Sequence, residues 1–237
     1  MAKRKQIILD FSANTFKNDP AIIDRAVREI SEVDTKKHEI IFKTQLFVKA
    51  GDNIPCEHKM YDYLHTVCAK KGYKCTASVF DNESLEFLYD YHKKRKAEGK
   101  QGIPFIKIAN NPDLARLSKY IPRGMKVYAS ISKYLPEEMD NSYLRGDRFL
   151  RCVSEYPAKN EDYEKIINAL IAFRDMNHLK GDPLVDVNIS DHTVGLNLYK
   201  KYEKDIRIWE KHLILDDSTG LDAGPFAITP KELAEIQ

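Results

Sequence analysis

The chain has 237 residues, 43% of them hydrophobic, enough to bury a sizeable core in one large domain or two small ones. Lys and Arg number 38 against 36 Asp and Glu, a net charge of +2, so charge gives no argument for a nucleic-acid or membrane partner. No run approaches the ~18 apolar residues of a membrane span, and the basic start MAKRKQIILD is too short in its apolar part for a signal peptide.

Eight β-type runs follow in chain order, interleaved with helical stretches. QIILDFSA (6–13) precedes a helix expected over Pro20–Ser31, whose Ile22, Ile23, Ala26, Val27 and Ile30 share one face. Asp19 before Pro20 suits an N-cap with proline in the first turn. HEIIFKTQL (38–46), YKCTASVF (73–80) and PFIKIA (104–109) lead to helices expected over Lys59–Lys71, Glu83–Glu98 and Pro112–Tyr120. KVYASIS (126–132) and RFLRCVSEYP (148–157) come next, then a helix over Asp162–Arg174. VDVNISDH (185–192) and IRIWEKHLIL (206–215) close the series with one short helical stretch between them. Four cysteines without CxxC spacing read as reduced thiols, which suits a cytoplasmic location.

Strict alternation implies a parallel sheet with helical crossovers, and eight units imply a closed (β/α)8 TIM barrel of the α/β class, one domain over residues 1–237. An open doubly wound sheet is the alternative. It would normally carry a glycine-rich phosphate turn after the first strand, and LDFSANTFKND has no glycine.

Barrel active sites lie at the C-terminal ends of the strands, and period-two alternation tells which side chains point inward there. Ile208, Glu210 and His212 share one face of the eighth run; Asn188, Ser190 and His192 share one face of the seventh. The other runs offer Asp10, Lys43 with Gln45, Ser78, Lys107, Ser130, and Ser154 with Tyr156. Any one of these alone reads as structural rather than functional. Two lysines inside runs that otherwise read as core call for an anionic ligand, because an unpaired buried ammonium is costly. His192 and His212 end neighbouring strands and could share a metal ion with positions left open for substrate, or each could be a satisfied core residue.

SDHT (190–193) and EKH (210–212), with FLRCVSEYP, IIFKTQLF, CTASVFD, FIKIAN, VYASIS and TGLDAGP, resemble in order the motifs of the sialic acid synthase family. The resemblance runs over nearly the whole chain. It implies condensation of phosphoenolpyruvate with an amino-sugar aldehyde to a nonulosonic acid, releasing phosphate. It implies that Lys43, Ser78, Lys107, Ser130 and Ser190 bind phosphoenolpyruvate, and that His192 and His212 bind a divalent metal, Mn2+ or Mg2+. Gln45, Ser154, Tyr156 and Asp222 would face the sugar. Glu210, Lys43 and Asp10 would be catalytic.

Departures cluster on the sugar side. Asp10 stands where the family has glutamate, Asn110 where it has serine, and Pro112 where it has a sugar-binding glutamate. The family's C-terminal antifreeze-like domain is not expected here, so a homodimer or a separate partner protein would complete the site. The expected alternative to an active synthase is a catalytically impaired barrel that binds a ligand or acts as a scaffold.

Overall fold

Alternation along each strand turns one row of side chains into the barrel and the other toward the helices. A computed structural model describes residues 4–132, 146–176 and 185–237. Its strands are β1 (Gln6–Asp10), β2 (Glu39–Leu46), β3 (Lys74–Val79), β4 (Ile106–Ile108), β5 (Val127–Ile131), β6 (Arg148–Cys152), β7 (Val187–Asp191), β8 (Ile206–Leu213) and the short β9 (Ala227–Ile228). Each strand pairs in parallel with the next, and β1 also pairs with β8, which closes the first eight strands into a barrel. The architecture is a single-domain (β/α)8 barrel, as expected from the alternation. The two-residue β9, which extends the sheet beside β8, was not anticipated.

The helices are α1 (Ala13–Phe16), α2 (Pro20–Val33), α3 (His58–Lys70), α4 (Asn82–Ala97), α5 (Pro112–Ala115), α6 (Asn160–Met176), α7 (Asn197–Tyr202) and α8 (Pro230–Leu233). In α2, Asp19 accepts a hydrogen bond from the Ala21 amide, and Ile23, Ala26, Val27 and Ile30 are buried, as the spacing requires. The stretch expected as one helix over Pro112–Tyr120 is instead one α-turn followed by a 3-10 turn. No described helix is long and apolar enough to cross a membrane.

The barrel interior is layered. Ile8, Ile41, Phe105, Tyr128, Leu150 and Ile208 form a separate apolar cluster inside it. Two residues further along the same strands stand Asp10, Lys43, Lys107, Ser130, Cys152 and Glu210. An apolar plug thus lies under a polar layer at the C-terminal end, and period two generates both.

Candidate active site

The polar layer opens into a pocket of about 160 Å3. Its lining includes Asp10, Lys43, Gln45, Ser78, Lys107, Ser130, Ser154, Tyr156, Ser190, His192, Glu210 and His212. Every residue assigned to the site from sequence is there except Asp222, which stands at its edge. Strand register explains the neighbours: Asp10 lies beside both Lys43 and His212, Ser78 beside Lys107, and Ser190 beside Glu210.

Both lysines are buried and already paired. Lys43 Nζ lies 2.7 Å from Asp10 Oδ2 and donates to Ser78 Oγ at 3.0 Å. Lys107 Nζ donates to Glu210 Oε1 at 2.6 Å, and Ser190 Oγ donates to the same oxygen at 2.8 Å. This corrects the sequence expectation that the lysines lack partners: carboxylates two positions beyond the apolar plug supply them. Burial opposes charge on Lys43, but Asp10 and Glu210 outweigh it and raise its pKa. Burial likewise pushes Glu210 up, and the Lys107 and Lys43 ammonium groups reverse this, holding it below the ordinary carboxylate range. Asp10 Oδ1, Glu210 Oε2 and Ser130 Oγ are buried with no hydrogen-bond partner.

The imidazoles of His192 and His212 face one another with centroids 5.7 Å apart. His192 Nδ1 lies 2.7 Å from the Val153 carbonyl oxygen. That contact assigns the proton to Nδ1 and leaves the lone pair on Nε2. Burial and the neighbouring His212 hold His192 neutral, its pKa pushed down to about 4. His212 Nδ1 is buried without a hydrogen bond, 3.9 Å from Asp10 Oδ2 and 3.8 Å from Asp222 Oδ1. Among the described residues, no three His, Cys, Asp or Glu side chains already form a metal-holding group. The donor chemistry, two imidazoles beside carboxylates, nonetheless fits a divalent ion that keeps open coordination positions. Cys152 borders the same space, and burial pushes its thiol up to about 11.

The sugar-side expectations fall on the rim. Gln45 Nε2 donates to Asp10 Oδ2 at 3.1 Å, and Asn110 Nδ2 donates to Ser154 Oγ at 2.9 Å. Tyr156 stacks on His192 at 4.0 Å and is half exposed. Asp222 accepts hydrogen bonds from Ser12 Oγ and from Asn14 Nδ2, the latter at 3.2 Å. Asn14 in turn donates to Asn53 Oδ1 at 2.8 Å. Gly220, at φ 110°, starts the loop that brings Asp222 back over the mouth, a backbone conformation open mainly to glycine. Phe226 packs edge-on against Tyr156 and His212. Ser12, Asn14 and Phe226 were not singled out from sequence. Only distant pairing reveals them.

The sequence model of the NeuB family matches residues 15–237. The chain belongs to the NeuB family. No curated protein matches the sequence. Among solved structures, this NeuB-family chain is similar to a spore coat polysaccharide biosynthesis protein E from Chromobacterium violaceum (TM-score 0.73, 18% identity, 98% of this chain and 72% of that one). It is also similar to an N-acetylneuraminic acid synthetase from Leptospira borgpetersenii solved with citrate (TM-score 0.72, 20% identity, 99% and 81%). A spore coat polysaccharide biosynthesis protein from Bacillus subtilis follows (TM-score 0.66, 17% identity, 98% and 66%). At these identities the structures establish a shared barrel.

Proposed function

We propose that this protein is a synthase that joins phosphoenolpyruvate to an amino-sugar aldehyde, giving a nonulosonic acid and phosphate. The observation that carries the reading is the convergence of Lys43, Lys107, Ser78, Ser130 and Ser190 on one small pocket beside His192 and His212. Family membership and the resemblance to an N-acetylneuraminic acid synthetase support it.

In this reading Lys43 and Lys107 turn from Asp10 and Glu210 to the phosphate and carboxylate of phosphoenolpyruvate, with the three serines as hydrogen-bond donors. The pocket holds one small anion, so the sugar extends to the rim, where Gln45, Ser154, Tyr156 and Asp222 meet its hydroxyl and amide groups. His192 and His212 would hold the divalent ion, Mn2+ or Mg2+. Such an ion supplies Lewis-acid polarisation of an aldehyde oxygen. The C3 carbon of phosphoenolpyruvate bonds to the aldehyde carbon as the aldehyde C=O opens and its oxygen takes a proton to become a hydroxyl. Water adds at C2, and the C2–O bond to phosphate breaks as the new C2 hydroxyl gives up its proton to leave a ketone. Asp10, with one oxygen free of partners, accepts the proton of the water. Glu210 keeps Lys107 and Ser190 oriented before the anion arrives.

Internal pairing of both lysines also favours the second reading, a barrel with impaired catalysis that binds a ligand or acts as a scaffold, since the pocket is largely satisfied by itself. Phosphate release from phosphoenolpyruvate, measured with a panel of amino-sugar aldehydes and added manganese, separates the two. Aldehyde-dependent release supports the synthase. Binding of phosphoenolpyruvate without release under any condition supports the impaired barrel. A second copy or a separate protein is proposed to complete the sugar side, and a cytoplasmic location accords with four free, buried cysteines.

A further inference from the structure

The opposite, N-terminal end of the barrel holds a second cavity of about 470 Å3. Tyr128 and Ile208, members of the apolar plug, form its floor, so one layer of side chains separates it from the catalytic pocket. Asn188 is the polar exception on that floor. Alternation turns it inward two positions before Ser190, it is fully buried, and neither its amide nitrogen nor its oxygen has a hydrogen-bond partner. Buried amides are rarely left so. Around the opening, Lys74 and Arg207 are committed to Glu39 and Asp186. Arg4, Lys126 and Arg148 also line it, and among the described residues none of the three has a carboxylate partner.

We propose that this end is a second binding site, for a sugar phosphate. The two halves of the site ask for different chemistry. Arg4 and Arg148 each spend one donor on a backbone carbonyl, of Lys36 at 3.2 Å and of Asp147 at 2.7 Å, and three cations without a carboxylate partner suit a phosphate dianion. The Asn188 amide needs one acceptor and one donor, which a phosphate cannot supply and a sugar hydroxyl can. The volume suits a ligand of that size. This inference does not depend on the reaction assigned to the other end of the barrel.

Calorimetry and amide NMR on the full chain, with glucose 6-phosphate as probe and glucose and inorganic phosphate as controls at physiological salt, test it. Saturable binding is expected, with shifts at the Asn188 side-chain amide and around Lys126 and Arg148. The Lys126→Ala/Arg148→Ala pair, both on the rim, should weaken it at least tenfold. Asn188→Leu, which continues the apolar layer, should remove the preference for glucose 6-phosphate over phosphate. No binding at millimolar probe, shifts confined to the catalytic pocket, or unchanged affinity in both variants would overturn the site.

Discussion

Asp191 and Lys211 face one another at 3.2 Å with neither side chain exposed. Each sits next in sequence to one of the two pocket histidines, but on the opposite strand face. Asp191 Oδ1 accepts from the Thr193 amide at 2.7 Å and its hydroxyl at 2.8 Å, and Oδ2 accepts from Trp209 Nε1 at 2.8 Å. Lys211 Nζ donates to the Thr193 carbonyl at 2.6 Å. This network bolts β7 to β8 behind the pocket and fixes the separation of His192 and His212. Lys211→Met would leave the Asp191 carboxylate buried without its counter-charge. A loss of about 3–5 kcal/mol is expected, read from the urea midpoint.

Glu210 accepts from both Lys107 and Ser190, and in the synthase reading it would compete with phosphoenolpyruvate for them. Glu210→Gln is therefore expected to tighten phosphoenolpyruvate binding on the order of tenfold while lowering turnover. Lys107→Ala should weaken the same binding about tenfold or more, given ~1.5–3 kcal/mol for a charged hydrogen bond. Calorimetry with the two variants side by side gives opposite signs if the pairing is read correctly.

The two imidazoles should act as one metal site. Replacing His192 and His212 together by alanine is expected to abolish manganese binding in calorimetry. Unchanged affinity would remove them as ligands.

Acid should weaken the fold through buried neutral histidines. His65 is fully buried with neither ring nitrogen bonded, and burial, with Arg95 nearby, pushes its pKa down to about 4. Its unfolded value is about 6.5. Between those values the unfolded chain binds a proton that the folded chain does not, so stability falls as pH drops through that window. His65 alone should account for about 2 kcal/mol between pH 8 and pH 5. His65→Leu should flatten the dependence of the urea midpoint by that amount.

Local pattern carried much of this site. Alternation identified the inward face of β7 and β8, and hence Ser190, His192, Glu210 and His212, because a closed barrel with a filled interior obliges one face of each strand to meet the others. The same logic found both lysines but missed their counter-ions, since Asp10 meets Lys43 only through the β1–β2 register. Asp191 and Lys211 were passed over as bystanders within their motifs. They face the helices, where a polar residue breaks the apolar pattern without saying what it touches. Ser12 and Asn14 reach Asp222 across more than 200 residues of chain, a relationship no spacing rule contains.

The most direct test of the synthase reading uses phosphoenolpyruvate labelled with oxygen-18 in the bridge between C2 and phosphorus, together with an amino-sugar aldehyde and manganese. Cleavage of the C2–O bond predicts that the released phosphate carries the label and that a nonulosonic acid of the expected mass appears in equal amount. Unlabelled phosphate, or no aldehyde-dependent phosphate at all, would contradict it.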